Sequence, residues 1–145
     1  MVVKRKLPEW FKVKSPGSEN FISLKSKISG ASLNTVCEEA ACPNIGDCWD
    51  RGTATFMILG DTCTRACSYC NVKTGWPNTI DLLEPHRVAS TVKKMNLKYT
   101  VITSVDRDDL DDYGSGIFAK TIEEVRKLSP KRKIEVLIPD FEADF

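Results

Sequence analysis

No stretch of the sequence approaches the ~20 consecutive apolar residues that a membrane-spanning helix requires, which argues against a bilayer-crossing helix. Neither sign of charge is in excess. The 21 Lys and Arg stand against 20 Asp and Glu, a formal net charge of +1, and this excludes a general nucleic-acid binder built on a basic surface. Histidine is almost missing, His86 being the only one, so zinc sites that pair cysteines with several histidines are disfavoured. A secretory signal is also lacking: the N-terminus, MVVKRKLPEWFKVK, is basic but no apolar run follows it. Pro8 and Glu9 interrupt any basic amphipathic helix of a transit peptide, and a cytoplasmic protein without a nucleic-acid or membrane partner is expected.

What is present is concentrated. All six cysteines, Cys37, Cys42, Cys48, Cys63, Cys67 and Cys70, fall within residues 37–70. Disulfide scaffolds of secreted proteins spread their bridges to staple distant loops, whereas clustered cysteines in a cytosolic chain point to metal or redox chemistry. An even count still permits three disulfides, and structural zinc is the competing metal. Zinc sites commonly use two C-x2-C pairs or add histidines, and here C-x2-C occurs once.

The 145-residue chain is otherwise ordinary, with 41% hydrophobic and 28% charged residues, enough for one domain with a real core. Residues 1–36 read as a leader with turn signals at Pro16-Gly17 and Ser29-Gly30, a short helix over Phe21–Ile28, and Trp10, Phe11 and Phe21 as anchors. Residues 37–52 read as a cysteine loop, because Pro43, Asn44 and Gly46 oppose a long regular element. Strands are expected at 53–60, 99–105 and 133–138, where β-branched and aromatic residues form short apolar runs. Helices are expected over 84–95, with Pro85 in the first turn and Val88, Val92 and Met95 on one face, and over 117–128, with Phe118, Ile122 and Val125 aligned. Strand, helix, strand, helix, strand implies parallel strands covered by helices. The expected fold class is therefore α/β: a partial (β/α) barrel of about three strands in residues 53–145, preceded by an extension, residues 1–52. A full barrel of eight units takes about 250 residues.

The second cysteine group, Cys63-x3-Cys67-x2-Cys70, follows the first barrel strand. Three soft, anionic thiolates at such spacing can hold one face of a [4Fe–4S] cube and leave the fourth iron open to a small molecule. The pattern at this position resembles the radical S-adenosylmethionine (SAM) superfamily, in which SAM chelates the open iron and is cleaved to an adenosyl radical. That resemblance implies that Tyr69, just before the third cysteine, contacts the adenine side of SAM. The first group, Cys37-x4-Cys42-x5-Cys48, resembles the auxiliary-cluster motif of lipoyl synthases. So do the segments 52–65, 72–75, 103–110 and 136–141, and the likeness runs from about Leu7 to the last residue.

The resemblance implies a lipoyl synthase carrying two [4Fe–4S] clusters and using SAM. Its reaction inserts two sulfur atoms at C6 and C8 of an octanoyl group on a lysine of a lipoyl carrier protein. The auxiliary cluster donates the sulfur, and a low-potential electron donor is required. Saturated carbons offer no electrophilic handle, so a carbon radical beside a sulfide is a sensible route. Thr103, Ser104, Asp106 and Arg107, at the C-terminal end of a strand, are expected near SAM. Asp109, Asp111 and Asp112 are expected to be a solvated acidic stretch. Glu38 and Glu39 either cap the first cysteine loop or are exposed, Arg65 pairs with a carboxylate or lies near a sulfide, and His86 is a first-turn residue rather than a ligand. The segment Lys4–Lys14 is read as a solvated surface or, second, a dock for an acidic carrier domain. Lipoyl synthases also carry a serine motif near the C-terminus that has no counterpart here. The chain is accordingly expected to be an incomplete or split form that needs a second chain, with a non-catalytic iron–sulfur-binding protein as the alternative.

Overall fold

The computed structural model describes residues 8–9 and 15–143. The expected anchors Trp10 and Phe11, and most of the basic stretch Lys4–Lys14, lie outside the described residues. Helix α1 spans Glu19–Gly30, longer at both ends than its apolar pattern suggests. Ser18 starts it by accepting the Phe21 N–H on its hydroxyl at 3.1 Å, which satisfies an otherwise orphaned donor. The helix buries Leu24 and Ile28, and the Phe21 ring stacks on Trp49 with centroids 5.0 Å apart. Phe21 is thus the anchor the sequence suggests.

Next come β1 (Asn34–Thr35), α2 (Val36–Glu39) and α3 (Ile45–Asp50). The expected cysteine loop is therefore corrected. Pro43 and Asn44 break the segment, but short helical turns form on either side of them and carry Cys37 and Cys48. The body continues with β2 (Thr53–Ile58), β3 (Thr62–Cys63), β4 (Lys73–Thr74), α4 (Glu84–Lys94), β5 (Tyr99–Ser104), α5 (Ser115–Leu128) and β6 (Lys133–Leu137), followed by a 3-10 turn at Phe141–Ala143.

The main sheet has the order β1-β2-β5-β6. β2, β5 and β6 are parallel and in register, Ile58 opposite Ser104 and Thr103 opposite Leu137. β1 adds an antiparallel edge that the sequence pattern did not announce, with Asn34 opposite Met57. β2 buries one face throughout, through Ala54, Phe56 and Ile58, and the other only at its C-terminal end, through Met57. Phe56, Ile58 and Ile102 are fully buried, each contributing about 1.5–3 kcal/mol by leaving water. Val88, Val92 and Met95 of the α4 face, and Phe118 and Val125 of α5, close the same core. Side chains from before and after residue 52, Ile28 and Trp49 among them, share it. No helix among the described residues is long and apolar enough to cross a membrane.

Candidate functional site

The chain leaves β2 through Leu59 (φ +70°) and Gly60 (φ +99°), two consecutive left-handed residues that turn it away from the sheet. Two residues later it enters the β3–β4 clip, where Cys63 lies opposite Thr74 and the Gly75 N–H donates to the Cys63 carbonyl at 3.0 Å. The segment between projects as a loop closed at its base. Within it the Cys70 N–H donates to the Cys67 carbonyl at 3.0 Å, a turn that brings the last two cysteines together. Cys63 is buried, Cys67 half-buried and Cys70 exposed.

All three cysteines line one recess of about 300 Å3 at the C-terminal ends of β2, β5 and β6. Tyr69, Thr103, Ser104 and Asp106 line it too. The Thr103 hydroxyl donates to the Leu137 carbonyl at 2.9 Å. The Ser104 hydroxyl oxygen is buried with no hydrogen-bond partner among the described residues. Tyr69 is 91% exposed, at the mouth, and its phenol is held above the usual range chiefly by hydrogen bonding to Cys67. The Asp106 N–H donates to Cys63 Sγ at 3.3 Å, and Thr64 donates to the Asp106 carbonyl through both N–H and hydroxyl at 3.1 Å. Burial pushes the Cys63 thiol up, and backbone donors from Arg65 and Asp106 oppose that push.

Arg65 ties the loop to the segments that follow β5 and β6. Its guanidinium contacts Asp108 at 2.6 Å, Asp140 at 2.9 Å and Glu142 at 3.1 Å. Both Asp108 and Asp140 are held below the usual carboxylate range by that arginine. Of the two readings of Arg65, the carboxylate pairing is the observed one.

Arg107 is not brought to the recess. It is 3% exposed and points behind the loop, donating to the Asp109 carboxylate through Nε and Nη2 at 2.8 Å, to the Leu59 carbonyl at 3.3 Å and to the Asn78 carbonyl at 3.1 Å. Asp109 is consequently corrected from a solvated residue to the half-buried carboxylate partner of the buried Arg107, because a guanidinium taken out of water needs a matching charge. Asp112 is exposed as expected, but it also accepts the Gly114 and Gly116 N–H groups at 3.0 and 2.9 Å and starts α5. His86 lies in the first turn of α4, 3.3 Å from Glu124.

The first cysteine group is built from turns. Thr35 caps α2 by accepting the Glu38 N–H at 3.3 Å and touches the Glu38 carboxylate at 3.2 Å, so Glu38 orients this loop. The Cys42 N–H donates to the Cys37 carbonyl at 3.1 Å across Ala41, which is left-handed at φ +46°. The Cys48 thiol is pushed up first by burial and then by the nearby Cys37 and Cys42. The Asn71 side-chain amide donates to the Glu39 carbonyl at 3.1 Å. That bond joins the residue after Cys70 to the end of the helix carrying Cys37.

All six thiols are free. Among the described residues no three His, Cys, Asp or Glu side chains converge into a ready-made metal cage. Sequence reasoning missed three residues that shape the region: Asp140, which follows Pro139 and reads as a loop acid; Leu59; and Glu84. Glu84 is 5% exposed at the start of α4, and burial pushes its carboxyl up although it accepts the Leu59 N–H at 2.8 Å. The only hint in the sequence was an acid at a helix start, which ordinarily means an exposed first-turn residue.

A cysteine-bearing loop after the first parallel strand, opening on a recess at the strand ends, has a counterpart among known families. Residues 57–144, more than half of the chain, match the radical SAM superfamily, and the chain belongs to it. Residues 2–42 match the N-terminal domain of lipoyl synthase of the radical SAM family. The parallel β2-β5-β6 sheet with its helices is accordingly a partial radical SAM β/α fold. The superfamily implies a [4Fe–4S] cluster and SAM. Cys63, Cys67 and Cys70 suit the first as thiolate donors on one recess, and the unpartnered Ser104 hydroxyl and the Asp106 carboxylate suit a polar, cationic ligand beside it.

Proposed function

We propose that this chain works as a lipoyl synthase, inserting sulfur at C6 and C8 of a protein-bound octanoyl-lysine. The observation that carries the reading is the Asn71–Glu39 bond, which holds the segment after Cys70 against the helix that presents Cys37. Two cysteine groups tied together can serve one substrate. Cys63, Cys67 and Cys70 would hold the SAM cluster, and Cys37, Cys42 and Cys48 a second cluster. When bound, the first supplies an electron and with SAM a hydrogen-abstracting radical, and the second supplies sulfur. The protein's own part is placement. Thr103, Ser104 and Asp106 orient SAM through hydroxyl and carboxylate groups, Tyr69 covers the adenine side, and Arg65 closes the loop over the strand ends. The partners implied are an octanoylated lipoyl carrier domain and a low-potential electron donor.

The test is iron and acid-labile sulfide per chain after anaerobic reconstitution, in wild type, Cys63→Ala and Cys37→Ala. About eight irons in wild type, with about half lost in each variant, is the expected result for two separate cubes. Iron in both sites without SAM cleavage would favour an iron–sulfur-binding protein without catalysis. Retention of zinc in place of iron would sink the reading.

A further inference from the structure

Leu59 occupies a conformation that suits glycine. At φ +70° a branched side chain is strained, and such a residue persists only where its surroundings over-determine it. Here three groups do so. The Glu84 carboxylate accepts the Leu59 N–H at 2.8 Å. Arg107 Nη1 donates to the Leu59 carbonyl at 3.3 Å. The side chain presses on Gly114 at the start of α5, so closely that a Cβ there would lie 2.3 Å from Leu59 Cδ1. A glycine at 59 would relax the backbone and lose this contact.

Two buried side chains of opposite charge therefore grip one residue from both sides, Glu84 from α4 and Arg107 from the segment after β5. Among the described residues the two charges form no ion pair with each other; each is satisfied by the backbone and, for Arg107, by Asp109. Only Gly60, Asp61 and Thr62 separate this grip from Cys63. Arg107 also follows Asp106 directly, and Asp106 holds Cys63 Sγ, so neighbouring residues fasten both ends of the approach to the first cysteine.

We infer that Glu84 and Arg107 are positioning residues for the Cys63–Cys70 loop, acting through Leu59 to hold the first cysteine in the geometry that a cluster requires. The inference rests on the assignment of a cluster to this triplet. Neither side chain lines the recess, so neither touches the bound groups. Their effect reaches the cluster as stiffness: a loop that cannot drift keeps its sulfurs converged, whereas a loosened one exposes iron to competing ligands.

The full chain, reconstituted anaerobically, provides the test. The iron belonging to this site is the fraction missing from Cys63→Ala. Its rate of loss to a strong ferrous chelator is compared in wild type, Glu84→Ala, Glu84→Gln and Arg107→Lys, along with the paramagnetic resonance spectrum of the reduced protein before and after SAM is added. Removing a charge-assisted acceptor should speed loss about tenfold in Glu84→Ala. Glu84→Gln, whose amide oxygen still accepts the Leu59 N–H, should stay within about threefold of wild type, and Arg107→Lys, which loses the planar fork, should fall between them. The spectrum should broaden in the same order. Wild-type rates and spectra in both Glu84→Ala and Arg107→Lys would overturn the inference while leaving the cluster assignment intact. If Glu84→Ala loses its cooperative unfolding transition, Arg107→Lys decides alone. If Cys63→Ala removes no iron, the cluster assignment fails first and the inference with it.

Discussion

The backbone N–H of Asp106 donates to Sγ of Cys63 at 3.3 Å, which ties the segment after β5 to the first cysteine of the loop. The Asp106 carboxylate stands 3.5 Å from the same sulfur and faces the recess. Backbone and side chain have separate duties here, and substitution can divide them. Asp106→Ala keeps the amide and removes the carboxylate. SAM affinity measured by equilibrium dialysis should fall about tenfold, the worth of one charge-assisted hydrogen bond, while iron per chain stays at the wild-type level. An unchanged affinity would remove Asp106 from the SAM site.

The Arg107 guanidinium holds the Asp109 carboxyl below the usual aspartate value of ~3.9. The unfolded chain then takes up a proton at higher pH than the folded one. Stability from this pair is complete above the unfolded value and is lost as pH falls through the folded one. Melting temperature followed from pH 6 downward should drop through this window in wild type. In Asp109→Asn it should start lower and depend less on pH. Parallel curves for the two proteins would show that the pair does not contribute.

Gly114 is left-handed at φ +86° and meets Leu59 at its start of α5. Gly114→Ala adds backbone strain and an overpacked methyl together. Chemical denaturation should show a loss of about 2–4 kcal/mol, the sum of those two effects. A loss below about 1 kcal/mol would mean that Leu59 repacks freely, which would also weaken the account of its grip.

β6 is the edge of the sheet, and among the described residues nothing pairs with its outer side. Val136, Leu137 and Ile138 are exposed there, Ile138 at 57%. Flat apolar edges invite strand pairing between chains. Light scattering after size exclusion should show association that grows with concentration, and Ile138→Lys should shift the population toward monomer. A monodisperse wild-type monomer at high concentration would contradict this.

The parallel core was legible because its elements carry their own periodicity. The apolar runs at Thr53–Ile58 and Tyr99–Ser104 and the spaced faces of α4 and α5 need no tertiary information to be read. Asn34–Thr35 was not legible, since two residues display no alternation and their strand exists only because β2 offers an edge. Cysteine spacing singled out two triplets, of which the second lines the recess, and the strand-end rule led to Thr103, Ser104 and Asp106 on the same recess. The same rule put Arg107 there as well. Periodicity and position cannot say which way a loop side chain turns, and a charged residue among five aspartates reads as solvated until its buried partners are seen. Glu84 escaped for the same reason: its buried partner, the Leu59 N–H, lies 25 positions away.

Trp49 is fully buried, stacked on Phe21, and directly follows Cys48, while Trp76 is exposed beside Gly75, which is bonded to Cys63. A buried indole emits at shorter wavelength than a wet one, and iron–sulfur clusters absorb across both bands. Each cysteine group thus sits beside a fluorophore of its own colour. With Trp10 replaced by Phe, the blue and red components of the emission would dim separately, and the order of their dimming would reveal which group takes up iron first.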